Sequence, residues 1–164
     1  MYRKQKIAVI IPALNEEESI PSVLMDIPPY TDTIIIVDNG STDNTSNVIH
    51  KAALTDKRII QVYEPTRGYG YACLAGMEKI SNEDIIVFLD ADYCEYPDKM
   101  NLLLDPIVED HYDFVLGNRH HRGAAPGSFT PAQKWGTKLI VWCIALLWGY
   151  RFYDLGPFRA IKRN

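Results

Sequence analysis

The chain has 164 residues, of which 47% are hydrophobic and 23% are charged. This length suits one globular domain with a sizeable core, and the ten glycines and ten prolines follow no period, which excludes collagen-like and low-complexity chains. The three cysteines have no CxxC spacing, so we expect neither a disulfide framework nor a zinc knuckle, and we predict a reducing cytoplasm. The first residues, MYRKQKIAVIIPA, lack the apolar region and cleavage site of a signal peptide.

Charge is unevenly distributed along the chain. Residues 1–114 hold 9 Lys and Arg against 20 Asp and Glu, a balance of −11, whereas residues 115–164 hold 8 against 1, a balance of +7. This asymmetry predicts that the C-terminal segment meets something anionic. Nucleic acid is not expected, because most of the chain is acidic and the basic segment is apolar rather than interleaved with exposed aromatic residues.

Five short apolar runs predict β-strands at residues 7–11, 33–37, 58–63, 84–89 and 112–116. The runs are rich in β-branched residues and continuous, which is typical of strands that are buried on both faces. Each gap is long enough for a helix, and this alternation predicts an α/β fold with a mostly parallel sheet flanked by helices.

Helix-start patterns occupy the gaps and predict helices at residues 15–27, 41–53, 68–80 and 97–110. Asn15 followed by Glu18 has the spacing of a capping box, and the pair Pro28-Pro29 should end that helix. Residues 41–43 offer N-caps for the second helix. Pro97 suits the first turn of the last one.

The character of the chain changes after Leu116. A loop rich in Gly, Pro and cations is followed by a helix-like segment, residues 131–151, whose uninterrupted apolar part is residues 139–148. Ten helical residues span about 15 Å, half of the ~30 Å hydrocarbon core, so no transmembrane span is predicted. Two interpretations stay open: a helix in the membrane interface, or a buried core helix or oligomer contact. The interfacial anchors would be Trp135, Trp142, Trp148, Lys134, Lys138 and Arg151.

In an open α/β sheet, ligands bind beyond the carboxyl ends of the strands, so the residues after each predicted strand are the candidates for a site. Asp90 and Asp92 directly follow the fourth strand with one residue between them. Two such carboxylates can share Mg²⁺ or Mn²⁺, which could neutralise a diphosphate leaving group. The alternative interpretation is a solvated acidic turn.

Other candidates follow the remaining strands. Asp38-Asn39 could read the edge of a base, or could form a turn before the next helix. Arg67 and Arg119 could bind phosphates through their planar guanidinium groups, or could form surface ion pairs. The sequence contains neither GxGxxG nor GxxxxGK[ST], which argues against a dinucleotide fingerprint and a P-loop. No Ser/His/Asp or Cys/His set stands at a recognisable spacing.

Four segments together resemble the family 2 glycosyltransferases with the GT-A fold: IPALNEEESI, VDNGSTDNT, RGYGYACLAGM and FLDADYCEYPD. Their order and spacing match as well, and they cover nearly the whole chain. The GNR loop and YDLGPFRAIKR resemble the subgroup of dolichol-phosphate mannosyltransferases and bacterial polyprenyl-phosphate glycosyltransferases. The resemblance implies a nucleotide-diphospho-sugar donor, a divalent metal and an inverting transfer.

The resemblance also implies roles for individual residues. It places the donor against Pro12, Leu14, Glu16, Val37, Asp38, Asn39, Arg67, Asp90 and Ala91. It places the metal on Asp90 and Asp92, catalytic roles on Asp92, Arg119 and Asp154, and the acceptor side on Arg119 and Arg159.

Three departures from the family pattern matter. Asn39 stands where the family often has a second aspartate, and its one acceptor and one donor suit uracil better than guanine, which favours a UDP-sugar such as UDP-glucose over GDP-mannose. Cys94 replaces a frequent Gln and is a poor Mg²⁺ ligand, so Glu95 or water would complete the metal shell. The chain also ends at Asn164, earlier than relatives do, which suggests a truncated copy.

These observations predict a catalytic core at residues 1–130, with an apolar helix and acceptor-side segment at residues 131–164. The expected activity is metal-dependent transfer of a hexose to a polyprenyl phosphate, by an enzyme attached peripherally to the cytoplasmic face of the cell membrane. Two alternatives are a soluble family 2 enzyme that glycosylates a sugar hydroxyl in a surface polysaccharide, and a catalytically silent nucleotide-sugar-binding module. The sequence does not determine the oligomeric state.

Overall fold

The computed structural model describes residues 1–117, 131–149 and 156–163, without the side chains of residues 131–135, 137–139 and 148. Six strands form one sheet: β1 (Ile7–Ala13), β2 (Thr33–Asp38), β3 (Ile59–Tyr63), β4 (Ile85–Phe88), β5 (Phe114–Leu116) and β6 (Arg159–Lys162). The helices are α1 (Ile20–Asp26), α2 (Thr45–Thr55), α3 (Tyr69–Met77), α4 (Asn101–Glu109) and α5 (Pro131–Trp148), with a 3-10 turn at Pro97–Lys99 before α4.

The strand order is β3-β2-β1-β4-β6-β5. β1 pairs in parallel with β2 on one side and with β4 on the other, and β2 pairs in parallel with β3. The strand residues of β1, β2 and β4 are almost entirely buried, as their continuous apolar runs predict. The mostly parallel α/β sheet flanked by helices is therefore confirmed.

The sequence pattern did not predict β6. It pairs antiparallel with β4, so that Phe88 lies opposite Arg159, and it separates β4 from β5. With only four residues, of which Ala160 alone is buried, β6 has no apolar run of its own. Its place depends on the neighbouring strand, which local sequence patterns do not report.

Two helix starts differ from the prediction. Asn15 does not cap a helix: its φ is +59°, and its Oδ1 accepts a hydrogen bond from the Thr42 backbone N at 2.8 Å. α1 begins at Ile20, because residues 14–19 form a loop that bonds to the next loop along the sheet edge. α2 begins at Thr45 rather than directly after residues 41–43.

The described chain forms two compact units, Met1–Val115 together with Phe158–Asn164, and Leu116–Pro157. The second unit contains α5, whose side chains at Ile140, Trp142, Leu146 and Leu147 are each more than half exposed. Among the residues that the structure describes, no helix combines the length and apolarity needed to cross a membrane.

α3 lies very close to the sheet at Gly76. A Cβ on Gly76 would lie 2.6 Å from Ile10 Cγ2 and 3.3 Å from Val37 Cγ2, so only glycine permits this approach. Gly70, in the same helix, has nothing within 4 Å of the equivalent position. The contact at Gly76 therefore sets how closely α3 packs on β1 and β2.

We expect Gly76→Ala to lower the free energy of unfolding by about 1–3 kcal/mol, because the methyl group overpacks a closed interface. The control variant Gly70→Ala should stay within about 1 kcal/mol of the wild type and tend to stabilise it, since alanine favours helix. Urea denaturation of both variants measures the difference. Equal stability of the two variants would contradict the close packing at Gly76.

Glu83 is a buried carboxylate near the amino end of β4. It accepts hydrogen bonds from the Thr33 hydroxyl at 2.5 Å and from the backbone N atoms of Ser81 at 2.9 Å and Asn82 at 3.0 Å. Burial raises the pKa of Glu83, but these hydrogen bonds more than offset it, so its pKa lies below the ordinary value of 4.5. The ionised form of Glu83 therefore stabilises the folded chain.

We expect Glu83→Gln to destabilise the chain by about 1–3 kcal/mol at neutral pH, because a neutral amide lacks the charge that strengthens these bonds. The glutamine oxygen can still accept from Ser81 and Asn82, but its nitrogen cannot accept from the Thr33 hydroxyl. The folded-state pKa is lowered, so the contribution of Glu83 is complete above about pH 4.5 and is lost as the pH falls through that pKa. Denaturation at several pH values should show the gap from wild type closing in acid, whereas the exposed control Glu78→Gln should show no such trend. A gap independent of pH would refute this account.

Candidate functional site

The carboxyl ends of β1, β2, β3 and β4 meet at one edge of the sheet, because these strands are parallel. From β1 the chain continues to β2 and β3 on one side and then crosses to β4 on the other side. The connections after β1 and β4 therefore diverge, which opens a crevice between their ends where open α/β sheets bind ligands. Residues 14–19 and residues 89–96 flank this crevice.

The loops after β1 and β2 bond to each other in both directions. The backbone N of Asn15 donates to Ser41 Oγ at 3.0 Å, and Asn15 Oδ1 accepts from the Thr42 backbone N at 2.8 Å. The backbone N of Glu16 donates to Thr45 Oγ1 at 2.8 Å. These bonds satisfy backbone groups that no strand or helix uses, so the two loops form one wall of the crevice.

The predicted donor residues on this wall differ in exposure. Leu14 is 42% exposed and Pro12 is partly buried, so both are accessible to a ligand. The Glu16 carboxylate accepts a hydrogen bond from the Ser19 hydroxyl at 2.5 Å. The Val37 side chain, in contrast, is fully buried beneath α3, next to Gly76. The Val37 side chain is therefore not exposed at this wall, and its contact with the base stays a prediction.

Asp38 and Asn39 are both buried by the chain's own contacts. Asp38 Oδ1 accepts from the Ser41 backbone N at 2.9 Å, which is the turn-forming role given above as the alternative. Asn39 Nδ2 donates to the carbonyl oxygens of Glu64 at 3.0 Å and Thr66 at 2.7 Å. Both amide hydrogens are used, so the prediction that Asn39 offers a donor to uracil does not agree with this structure.

Arg67 lies in the loop after β3 and is exposed. Its Nη2 donates to the Gly40 carbonyl oxygen at 3.2 Å, and no ion pair involving Arg67 is found among the described residues. Gly40 has a φ of +77°, a conformation that glycine adopts without strain, and a Cβ there would lie 3.9 Å from Arg67 Nε. The Arg67 guanidinium therefore lies over the turn that follows β2.

The acidic segment after β4 lies on the other side of the crevice. Ala91 is buried, Asp90 is partly exposed and Asp92 is exposed, with Asp92 Oδ1 accepting from the Cys94 backbone N at 3.0 Å. Tyr93 has a φ of +59°, and its hydroxyl donates to Asp26 Oδ2 at the end of α1. This contact ties the turn to the helix behind it.

Negative charge is concentrated around Cys94. A hydrogen bond to Asp92, partial burial and the carboxylates of Asp92, Glu95 and Asp90 raise the pKa of the Cys94 thiol to about 11. In the chain without a bound metal, the thiol is therefore protonated at neutral pH. The same charges that disfavour a thiolate would favour a bound cation.

The carboxylate oxygens after β4 suit a hard divalent cation that a bound ligand also coordinates. Within residues 1–117 and the other described parts of the chain, no group of three or more His, Cys, Asp or Glu side chains could hold a metal by itself. Mg²⁺ and similar ions, however, are commonly held by one or two carboxylates together with substrate phosphates. Asp90 and Asp92 supply two carboxylates at the crevice, and a diphosphate would supply the remaining oxygens.

Arg159 and Tyr69 meet beside Asp90. The Arg159 guanidinium lies 5.3 Å from the centre of the Phe88 ring and 5.9 Å from that of Tyr69, and its Nη2 donates to the Tyr69 hydroxyl at 3.5 Å. Burial and the Asp90 charge raise the pKa of Tyr69, and Arg159 partly opposes this shift. The sequence analysis missed Tyr69, whose only signal was its place in RGYGYACLAGM at the start of α3.

The structure thus brings Pro12, Leu14, Glu16, Arg67, Asp90, Ala91, Asp92 and Arg159 to the carboxyl edge of the sheet. Arg119 and Asp154 lie outside the described residues.

The sequence pattern of Glycosyl transferase family 2 matches residues 8–163. The chain belongs to glycosyl transferase family 2. This agrees with the resemblance carried by its four motifs and with the acidic segment at the end of β4.

Two relatives in the family have names that specify a reaction. The UDP-N-acetylglucosamine–dolichyl-phosphate N-acetylglucosaminyltransferase of Methanococcus voltae is 30% identical over 164 residues, which is 90% of this chain and 65% of that protein. The undecaprenyl-phosphate 4-deoxy-4-formamido-L-arabinose transferase of Yersinia enterocolitica is 34% identical over 128 residues, which is 72% of this chain and 38% of that protein. The chain therefore spans less than two thirds of the length of these relatives.

A protein of known structure has the same fold. Glucosyl-3-phosphoglycerate synthase from Mycobacterium tuberculosis, in complex with Mn²⁺, UDP-glucose and phosphoglyceric acid, is 27% identical and superposes with a TM-score of 0.69. The match covers 97% of this chain and 57% of that one. The GT-A fold predicted from the motifs is confirmed.

Proposed function

We propose that this chain carries the donor side of a metal-dependent inverting glycosyltransferase, which moves a hexose from a nucleotide-diphospho-sugar to a polyprenyl phosphate. The observation that carries the proposal is the position of Asp90 and Asp92, directly after β4 at the crevice between β1 and β4. A diphosphate leaving group needs compensating positive charge at this edge of the sheet, and two carboxylates with a shared cation provide it.

Asp90 and Asp92 would hold Mg²⁺ or Mn²⁺, which would supply positive charge to the departing diphosphate. Mn²⁺ is the metal in the complex of the mycobacterial synthase with UDP-glucose, so it is the first ion to test. Arg159, beside Asp90, adds a cation that is permanently charged and has a planar set of donors. We assign to it contact with a phosphate group on the acceptor side, together with Arg119.

A phosphate acceptor, which needs no general base, agrees with the residues found in the loops around the crevice. A phosphate monoester is already ionised near neutral pH, so it needs no general base to become a nucleophile. The loops that follow β1, β2, β3 and β4, at residues 14–19, 39–44, 64–68 and 89–96, contain no histidine. Direct attack by the phosphate on the anomeric carbon inverts its configuration. The names of two relatives, which include dolichyl phosphate and undecaprenyl phosphate, support this class of acceptor.

The donor class is supported by relatives rather than by Asn39. The methanococcal relative is named for UDP-N-acetylglucosamine, and the mycobacterial synthase is in complex with UDP-glucose. We therefore propose a UDP-sugar such as UDP-glucose as the donor, with GDP-mannose as the comparison. Asp154, the only carboxylate after residue 114, would act near the acceptor.

Residues 131–151 would attach the enzyme to the cytoplasmic face of the membrane, where a polyprenyl phosphate is located. The described part of α5 exposes Ile140, Trp142, Leu146 and Leu147, and residues 115–164 carry a balance of +7. Apolar side chains enter the interface while basic residues meet anionic headgroups, and the two contributions reinforce each other.

Nucleotide release decides among the candidate activities. The chain would be incubated with Mn²⁺ and either UDP-glucose or GDP-mannose, with and without a short polyprenyl phosphate in anionic vesicles. Release that depends on the lipid phosphate, by a protein that sediments with the vesicles, supports the proposal. Release that depends on phosphoglyceric acid or on a sugar hydroxyl would replace the acceptor. Binding without release would indicate a silent module.

We expect Asp92→Ala to reduce transfer at least about a hundredfold, because the charge that develops on the leaving diphosphate loses its compensation. The control is Asp98→Ala, which removes an exposed carboxylate that pairs only with the adjacent Lys99 at 2.8 Å. Both variants should unfold at the wild-type urea concentration, and calorimetry should show weaker Mn²⁺–UDP binding for Asp92→Ala alone. Activity retained in Asp92→Ala would remove the metal role.

A further inference from the structure

The Asn39 side chain joins the end of β2 to the loop after β3. Its Nδ2 donates to the carbonyl oxygens of Glu64 and Thr66, and its Oδ1 accepts from the Gly68 backbone N at 2.8 Å. The partners require two donated hydrogens on one side of the group and an acceptor on the other. An amide meets this requirement, whereas a carboxylate would place negative charge against two carbonyl oxygens.

The surroundings of Asn39 make these bonds effective. The residue is 4% exposed, so water does not compete freely for its hydrogen bonds. Its backbone N donates to the Ala13 carbonyl oxygen at 2.9 Å, which fixes it to the end of β1 as well. Asn39 therefore joins two strand ends and the 64–68 loop through one buried residue.

The 64–68 loop carries an exposed cation and leads directly into α3. Arg67 lies in it, and its guanidinium returns to the Gly40 carbonyl oxygen. Gly68, with a φ of +143°, directly precedes α3, which begins with Tyr69 beside Arg159. A shift of this loop would move both the Arg67 cation and the first turn of α3.

We propose that Asn39 is a positioning residue, which fixes the 64–68 loop and with it Arg67 and the start of α3, and that its two amide hydrogens bind this loop rather than the base of the donor. The part of this inference that concerns the donor rests on the proposed function, whereas the part that concerns the loop does not. It also gives a physical reason for asparagine at a position where the motif resemblance leads one to expect aspartate.

Asn39→Asp tests the proposal with two independent readouts. The first is the rate of tryptic cleavage at the exposed Arg67–Gly68 bond, followed by peptide mass under native conditions. We expect cleavage to become at least about tenfold faster, because two buried hydrogen bonds to the loop are lost. The second is calorimetric binding of UDP and of GDP with Mn²⁺, where we expect both affinities to fall by the same factor.

Asn47→Asp is the matched control, since it makes the same chemical change at an exposed position of α2, where Nδ2 donates only to Asn44 Oδ1. It should leave the cleavage rate and both affinities at wild-type values. Asn39→Ala removes the same bonds without introducing a buried charge, so it serves if Asn39→Asp does not fold. Near-UV circular dichroism checks the folding of each variant.

The possible results distinguish a failure of the positioning role of Asn39 from a failure of the proposed function. Wild-type cleavage rates in both folded Asn39 variants would overturn the positioning role. A change of preference from UDP to GDP in Asn39→Asp would also overturn it, because the amide group that this change replaces would then read the base. If the wild-type chain bound neither nucleotide, the proposed function would fail, and the cleavage rates would still decide the role of Asn39 in the loop.

Discussion

The pairing of β1 with two parallel neighbours is the constraint on which the rest of the structure depends. Ile7–Ala13 lies between β2 and β4, and its apolar residues are almost fully inaccessible to solvent. A strand in this position must be apolar on both faces. The chain places β2 and β3 on one side of β1 and β4 on the other side. The connections that leave β1 and β4 therefore run to opposite sides, which opens the crevice between the two strand ends. The location of the site thus follows from the central position of β1.

Close packing on one face of the sheet supports this arrangement. α3 approaches β1 and β2 at Gly76, where no side chain larger than hydrogen fits. This contact sets the height of α3 above the sheet, and its first turn therefore lies beside Arg159 and Asp90. The helix links core packing to the site. Its C-terminal end is held close to the sheet at Gly76, and Tyr69 at its N-terminal end bonds to Arg159.

The walls of the crevice consist of loops that bond to one another. Asn15 connects the loop after β1 to the loop after β2, and Asn39 connects the end of β2 to the loop after β3. Backbone groups at loops need partners, and here side-chain amides and hydroxyls of neighbouring loops provide them. The acidic turn after β4 is tied instead to α1, through Tyr93 and Asp26. The crevice thus has one wall of loops that bond to one another and a separate acidic side.

The sequence by itself determined the five apolar strands, the α/β class and the edge of the sheet where Asp90 and Asp92 lie, because burial on both faces and strand ends are local properties of composition and order. It also determined the family, through four motifs in order. Only the tertiary structure decided the place of β6, the burial of Val37 beneath α3 and the use of the Asn39 amide by the chain itself. These features arise from partners that are distant in sequence, such as Phe88 for Arg159 and Thr66 for Asn39, and no local pattern reports which distant group will take a side chain's hydrogen bonds.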